Sequence, residues 1–116
     1  MKLPIIAIAC LSMLCLGACA PKALTPEEMV AADCAAQGGT MQRVGRLQSL
    51  QCVIRYADAG QQCSDGDDCL GECRVEGSVL PPEGRAVTGV CQATSNRFGC
   101  FTTIENGRAE ATLCID

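Results

Sequence analysis

The chain has 116 residues, with 9 basic and 13 acidic side chains, 11 cysteines, two phenylalanines, one tyrosine, no tryptophan and no histidine. The acidic balance argues against DNA, RNA or an anionic bilayer as a polymeric partner, and the missing histidine removes imidazole-based triads, metal ligation and acid–base chemistry. So few large apolar side chains make a thin core, and a chain of this size then needs covalent staples to hold a fold.

The first element is a processing segment. Lys2 supplies a positive start, and residues 3–16 are almost wholly apolar, shorter than the roughly 20 residues a spanning helix needs. The run ends in Leu16-Gly17-Ala18-Cys19, which resembles the lipobox of bacterial lipoproteins. The resemblance implies a signal peptide over residues 1–18, acylation of Cys19 and attachment to a lipid bilayer through its acyl chains. Ala20, in place of an aspartate after the cysteine, implies an outer-membrane lipoprotein facing periplasm or cell surface. An ordinary secretory signal cleaved after Ala18 or Ala20, or an uncleaved helix, are the other readings.

Cleavage before Cys19 leaves eight further cysteines: Cys34, Cys52, Cys63, Cys69, Cys73, Cys91, Cys100 and Cys114. An even number in a short exported chain reads as a disulfide framework. Residues 19–24 form a short tether, and residues 25–116 are expected to be one small disulfide-rich α+β domain. Its parts are a helix-hairpin unit over 25–62, a cysteine hub over 63–73 and a C-terminal ribbon over 85–116.

Thr25-Pro26-Glu27-Glu28 carries the signature of a helix start, with Thr25 as N-cap, Pro26 in the first turn and Glu28 closing a capping box. Met29, Val30, Ala31, Cys34 and Ala35 supply an inward face, and Gly38-Gly39 ends the helix. Cys34 is expected to fasten the helix to the sheet. Strands follow over 40–48 and 50–56 and pair as a hairpin, with Leu50, Cys52, Ile54 and Tyr56 on one face by period two. Arg43, Arg46 and Arg55 read as solvated side chains. The run Cys34-x3-Gly38-Gly39, then Leu50-x-Cys52-x3-Tyr56-x-Asp58-x-Gly60-x2-Cys63, resembles a short exported domain of unknown function that carries a hemolysin label in bacterial lipoproteins. The resemblance covers residues 31–63, departs from the pattern at Ala59 and implies no catalytic chemistry.

The hub, Cys63 to Cys73, holds three cysteines and the carboxylates Asp65, Asp67, Asp68 and Glu72. Its density also resembles small secreted whey-acidic-type and colipase-like modules. The carboxylates read either as a solvated acidic turn or as a calcium loop, although the spacing lacks the glutamate that ends an EF-hand loop. Zinc would need thiols that an oxidising compartment removes. No metal and no cofactor is expected.

Pro81-Pro82 stiffens a loop over 76–84. A strand over 86–93 and a return over 98–105 would place Cys91 opposite Cys100 across a turn at 94–97. Asn106-Gly107 predicts a two-residue type I′ hairpin with Glu105 and Arg108 at its mouth. In that register Cys100 faces Leu113, so a Cys100–Cys114 bridge requires a bulge. Pairing cysteines that lie near one another in sequence, as 34–52, 63–73, 69–91 and 100–114, is one scheme among 105.

The functional expectation is a non-catalytic envelope lipoprotein domain that binds a protein or an envelope polymer through Asp65, Asp67, Asp68, Glu72 and the Pro81-Pro82 loop. An inhibitor of a lysozyme or protease and a purely structural envelope protein are the alternatives. No catalytic residue is expected and no nucleic-acid partner. The hub is expected to cross-link the helix-hairpin unit to the ribbon.

Overall fold

A computed structural model describes residues 19–116, and the expected signal peptide, residues 1–18, lies outside the described residues. The described residues fold as one α-helix, a two-stranded sheet and a five-stranded antiparallel sheet, tied by four disulfides.

Helix α1 spans Pro26–Ala36 and starts as its residues dictate. The Thr25 side chain accepts from the Glu28 backbone N–H and the Glu28 side chain accepts from that of Thr25. Gly38, at φ 76°, reverses the chain after the helix, and Gly39 then passes so close to the Cys34–Cys52 bridge that a Cβ would sit 2.6 Å from the Cys52 sulfur. Bridge and glycine together let strand β1 (Gly39–Val44) run directly beneath the helix. It pairs antiparallel with β2 (Ser49–Ile54), with Met41 opposite Cys52 and Arg43 opposite Leu50.

The expected inward faces are corrected here. Of the helix residues only Cys34 is buried, while Met29 and Val30 are more than half exposed. On β2 the buried side chain is Val53, which with Val44 occupies the face opposite Leu50 and Cys52. The reason is where the rest of the protein lies. The loop after β5 stitches onto the end of β2 through Tyr56 N–H to Ala93 O, Ser95 N–H to Ile54 O and Ile54 N–H to Ser95 Oγ. The Phe98 ring, from the segment that follows, reaches the backbone of Gly45.

The second sheet has the order β3-β5-β4-β6-β7, made of Gln62–Cys63, Gly89–Cys91, Cys73–Glu76, Gly99–Glu105 and Arg108–Ile115. The expected pairing of 86–93 with 98–105 is overturned, because β4 lies between β5 and β6. Cys91 therefore faces Cys73 in the ladder and is bonded to Cys69, not placed opposite Cys100. The four residues of β4 were unreadable as a strand because they follow directly on the turns of the hub.

The bridges are 34–52, 63–73, 69–91 and 100–114, the middle two interleaved along the chain. The last exists because the β6–β7 register shifts. From the Asn106-Gly107 turn, Glu105 pairs with Arg108 and Ile104 with Ala109, but Thr102 pairs with Thr112 and Cys100 with Cys114. One extra residue on β7 is accommodated as a β-bulge, which returns Cys114 to the face of Cys100. No bridge joins the helix-hairpin unit to the large sheet. The hub staples β3, β4 and β5 to one another, and the junction between units includes the hydrogen bonds above, the Phe98 ring, the Tyr56 ring against Gly71 and an exposed Arg46–Asp116 ion pair at 4.0 Å.

The core of the large sheet is Cys63, Cys73, Cys91, Ile104 and Ala109, with Cys69, Val75 and Val87 packed against it. Disulfide sulfur replaces much of the aliphatic volume found in larger domains.

Candidate functional site

The hub, residues 63–73, contains a short 3-10 turn, Gly66–Asp68, built by its own carboxylates. Asp65 accepts from the Asp67 N–H at 3.0 Å and from the Asn106 N–H at 2.9 Å. Asp68 Oδ2 accepts from the backbone N–H groups of Ser64 and Asp65. Two of the four expected site residues are thus caps, satisfying donors that a short turn leaves unpaired.

Glu72 is engaged differently. Arg74, on the central strand β4 and only 4% exposed, directs Nε and Nη2 to Glu72 Oε2 at 2.8 and 2.7 Å, and its Nη1 lies 3.6 Å from Glu76. The guanidinium lies over the Phe101 ring, 3.7 Å from its centroid. Charge on one side and π density on the other compensate the guanidinium for the water it loses where β4 buries it. Glu72 therefore belongs to this ion-pair cluster. It borders a groove of about 410 Å³ that also includes Tyr56, Gln92, Arg97 and Leu113.

Asp67 is exposed, and its carboxylate makes no hydrogen bond among the described residues. Its companion in charge is Glu105, at the mouth of the β6–β7 hairpin. Glu105 lies beside Gly66 and against Asp65. Desolvation and then the charge of Asp65 hold its carboxyl above the ordinary glutamate range. The backbone N–H of Asp67, and then that of Asn106, hold Asp65 below its ordinary value. The structure thus joins Asp65, Asp67 and Glu105 into one acidic knob and assigns Glu72 to another cluster.

The Pro81-Pro82 loop comes to the same turn. Gly84 N–H donates to Ala109 O, Arg108 Nη1 donates to Gly84 O, and Val87 N–H donates to Gly107 O, while Gly107 N–H donates to Ser64 O of the hub. The Asn106-Gly107 turn is accordingly the clasp that holds the acidic turn and the proline loop. Sequence reasoning missed Glu105 and Arg74. Glu105 was reachable from its place beside the Asn-Gly turn, but a lone arginine next to Cys73 carried no signal.

The sulfurs of Cys63, Cys69 and Cys91 lie within 4.8 Å of one another. All three are spent in bridges, so the cluster is the meeting point of two adjacent disulfides in the core and offers no thiolate to a metal. Asp65 and Asp68 each accept two backbone donors, which accounts for their place in the turn without an ion.

Comparison of the chain with protein-family models, with curated proteins and with solved structures finds no match, so the functional reading rests on the residues described above.

Proposed function

We propose that the chain is a non-catalytic lipoprotein domain of the bacterial envelope, held at the membrane through acylated Cys19, that binds a protein partner through the acidic knob. The observation that supports binding is the rigidity of the knob. Its turn is capped by its own carboxylates, flanked by the 63–73 and 69–91 bridges, and clasped to the Asn106-Gly107 turn. A loop ordered before contact loses little conformational entropy on association. Its charge would steer a basic partner.

Two measurements test this reading. Mass spectrometry of the protein extracted from cell envelopes should find Cys19 as the first residue and carrying acyl chains; an unmodified chain recovered from the aqueous fraction would overturn the anchor. Carboxyl-to-amine cross-linking in intact envelopes should trap a discrete adduct that Asp67→Lys abolishes. An adduct of equal yield with that variant would remove the knob as the contact. Asp67 is the suitable position because its side chain supports nothing else, whereas Asp65, Asp68 and Glu72 hold up the fold.

A further inference from the structure

The net charge of the chain conceals a division. From Cys19 to Tyr56 there are four basic and three acidic residues; from Ala57 to Asp116 there are four basic and ten acidic. The helix-hairpin unit is close to neutral, and nearly all the negative charge belongs to the five-stranded sheet and its hub. The same unit exposes apolar surface that a free helix-hairpin would be expected to cover. Between α1 and the β1–β2 hairpin runs a groove of about 650 Å³ whose walls include Pro26, Val30, Ala31, Met41 and Leu50, with Arg43, Glu27 and Glu28 at its rim. Val30 and Leu50 are 57% and 56% exposed, and so are Leu24 just before the helix, at 56%, and Leu47 at the hairpin tip, at 88%. The Cys34–Cys52 bridge pins the C-terminal end of the helix to the hairpin.

We propose that this face is the membrane-contacting surface of the domain: α1 and the β1–β2 hairpin lie on the bilayer, with their apolar side chains at the headgroup boundary. The proposal rests on the reading of Cys19 as the anchor. The tether supports it, because Cys19 precedes the N-cap Thr25 by six residues, and a fully extended chain of that length spans at most about 20 Å. The groove is thus held within reach of the surface to which its own chain is tied. Helix α1 does not by itself segregate apolar from polar residues; the apolar area that would be buried at the surface comes from Val30 together with Met41 and Leu50 of the hairpin. Charge decides the orientation. An anionic leaflet repels the acidic sheet and hub, while around the apolar side chains Lys22, Arg43 and Arg46 nearly balance Glu27, Glu28 and Asp33. The acidic balance of the whole chain, which argues against an anionic bilayer, is therefore a property of the distal sheet alone. The described residues contain no helix long and apolar enough to cross a membrane. A surface-lying α1 of 11 residues needs none.

The contact uses α1 and the β1–β2 hairpin and leaves the acidic knob, which belongs to the large-sheet unit, free for a partner. To test it without depending on cellular acylation, the oxidised chain Cys19–Asp116 is coupled through Cys19, the free cysteine of the described residues, to a maleimide lipid. It is then placed in nanodiscs of phosphatidylethanolamine and phosphatidylglycerol carrying gadolinium-chelate headgroups. Paramagnetic broadening of amide resonances should be several-fold larger for residues 26–36 and 41–50 than for 62–76 and 108–115. Val30→Glu with Leu50→Glu, both at exposed positions, should even out the broadening, and Val79→Glu, exposed on the large-sheet unit, should leave the pattern intact. Uniform broadening in the unsubstituted protein, stronger broadening of the large sheet, or a lipid-free dimer that buries the same groove would each overturn the proposal. Absence of acyl chains on Cys19 in the cellular protein would refute the anchor independently of the surface measured here.

Discussion

Arg74 offers the sharpest test of how a thin core tolerates a charge. Replacing it with methionine keeps most of the apolar stem and removes the guanidinium; replacing it with alanine removes both. The methionine variant loses two charge-assisted contacts to one Glu72 oxygen and the stacking on Phe101. Hydrogen bonds to charged groups contribute about 1.5–3 kcal/mol and a cation–π contact about 0.5–2. Glu72 and Glu76 are about half exposed, 52% and 56%, so after the change they are solvated and not stranded. The severe cost of an orphaned buried charge therefore does not arise, and the pair is partly screened to begin with. The net expectation is about 1–2 kcal/mol for Arg74→Met and about 2–4 for Arg74→Ala, which also loses the packing of the stem. Guanidinium titration of the oxidised protein, followed by Tyr56 fluorescence, reads this directly, because the Tyr56 ring packs against Gly71 of the hub and the chain has no tryptophan. With a slope near 2 kcal/mol per M for a small cross-linked domain, the alanine midpoint should fall by about 1–2 M at unchanged slope. An Arg74→Met protein as stable as the parent would refute the claim that the cluster stabilises the sheet. A Glu72→Gln/Arg74→Met cycle without coupling would place the loss in packing alone.

Under limiting dithiol the Cys100–Cys114 bridge should be reduced first, since both cysteines are exposed while Cys63, Cys73 and Cys91 are buried; alkylation and peptide mapping give the order, and earlier loss of 63–73 would contradict it. Gly39→Ala should cost more than about 2 kcal/mol by the same titration, because a Cβ 2.6 Å from the Cys52 sulfur must displace the bridge that seats α1; retention of the native midpoint would show that the strand yields. The two shifted carboxyls act oppositely with pH. Glu105, held high, adds stability that is present below its unfolded pKa of about 4.3 and is lost as pH rises through the folded value. Asp65, held low, adds stability present above its unfolded pKa of about 3.9 and lost as pH falls through the folded value. Glu105→Gln should therefore gain stability relative to the parent on going from pH 4 to pH 7, and a difference independent of pH would count against the proximity of Glu105 to Asp65.

The helix was legible to the residue at its start, because a capping box is a local contract among Thr25, Pro26 and Glu28 that no tertiary contact needs to complete. The Asn106-Gly107 turn was equally plain, both residues taking the positive φ that a type I′ hairpin requires. The candidate site was legible only in part. Asp65 and Asp68 looked like surface charge, and their use as caps follows from a turn whose backbone donors became visible only when the hub was folded. Glu72 stands four residues from Asp68 in sequence yet belongs to Arg74, because the chain enters β4 at that point and Arg74 holds it. The inward face of the hairpin was misjudged for a related reason. Period two correctly separates two faces, but nothing in residues 50–56 says which of them the Thr94-Ser95 loop will cover.

What the sequence by itself determined is the class of solution: a small α+β domain with an even set of cysteines, a capped helix, a hairpin and an Asn-Gly ribbon, each encoded within a few neighbouring residues. Only the tertiary structure decided that β4 enters between β5 and β6, that a bulge on β7 brings Cys114 to Cys100, and that the bridges staple the sheet internally and leave the two units to be joined by hydrogen bonds and side-chain contacts. These depend on contacts between segments distant along the chain, and their free energies come from the shared burial of Ile104, Ala109 and the hub sulfurs. No single stretch of the sequence carries that burial alone.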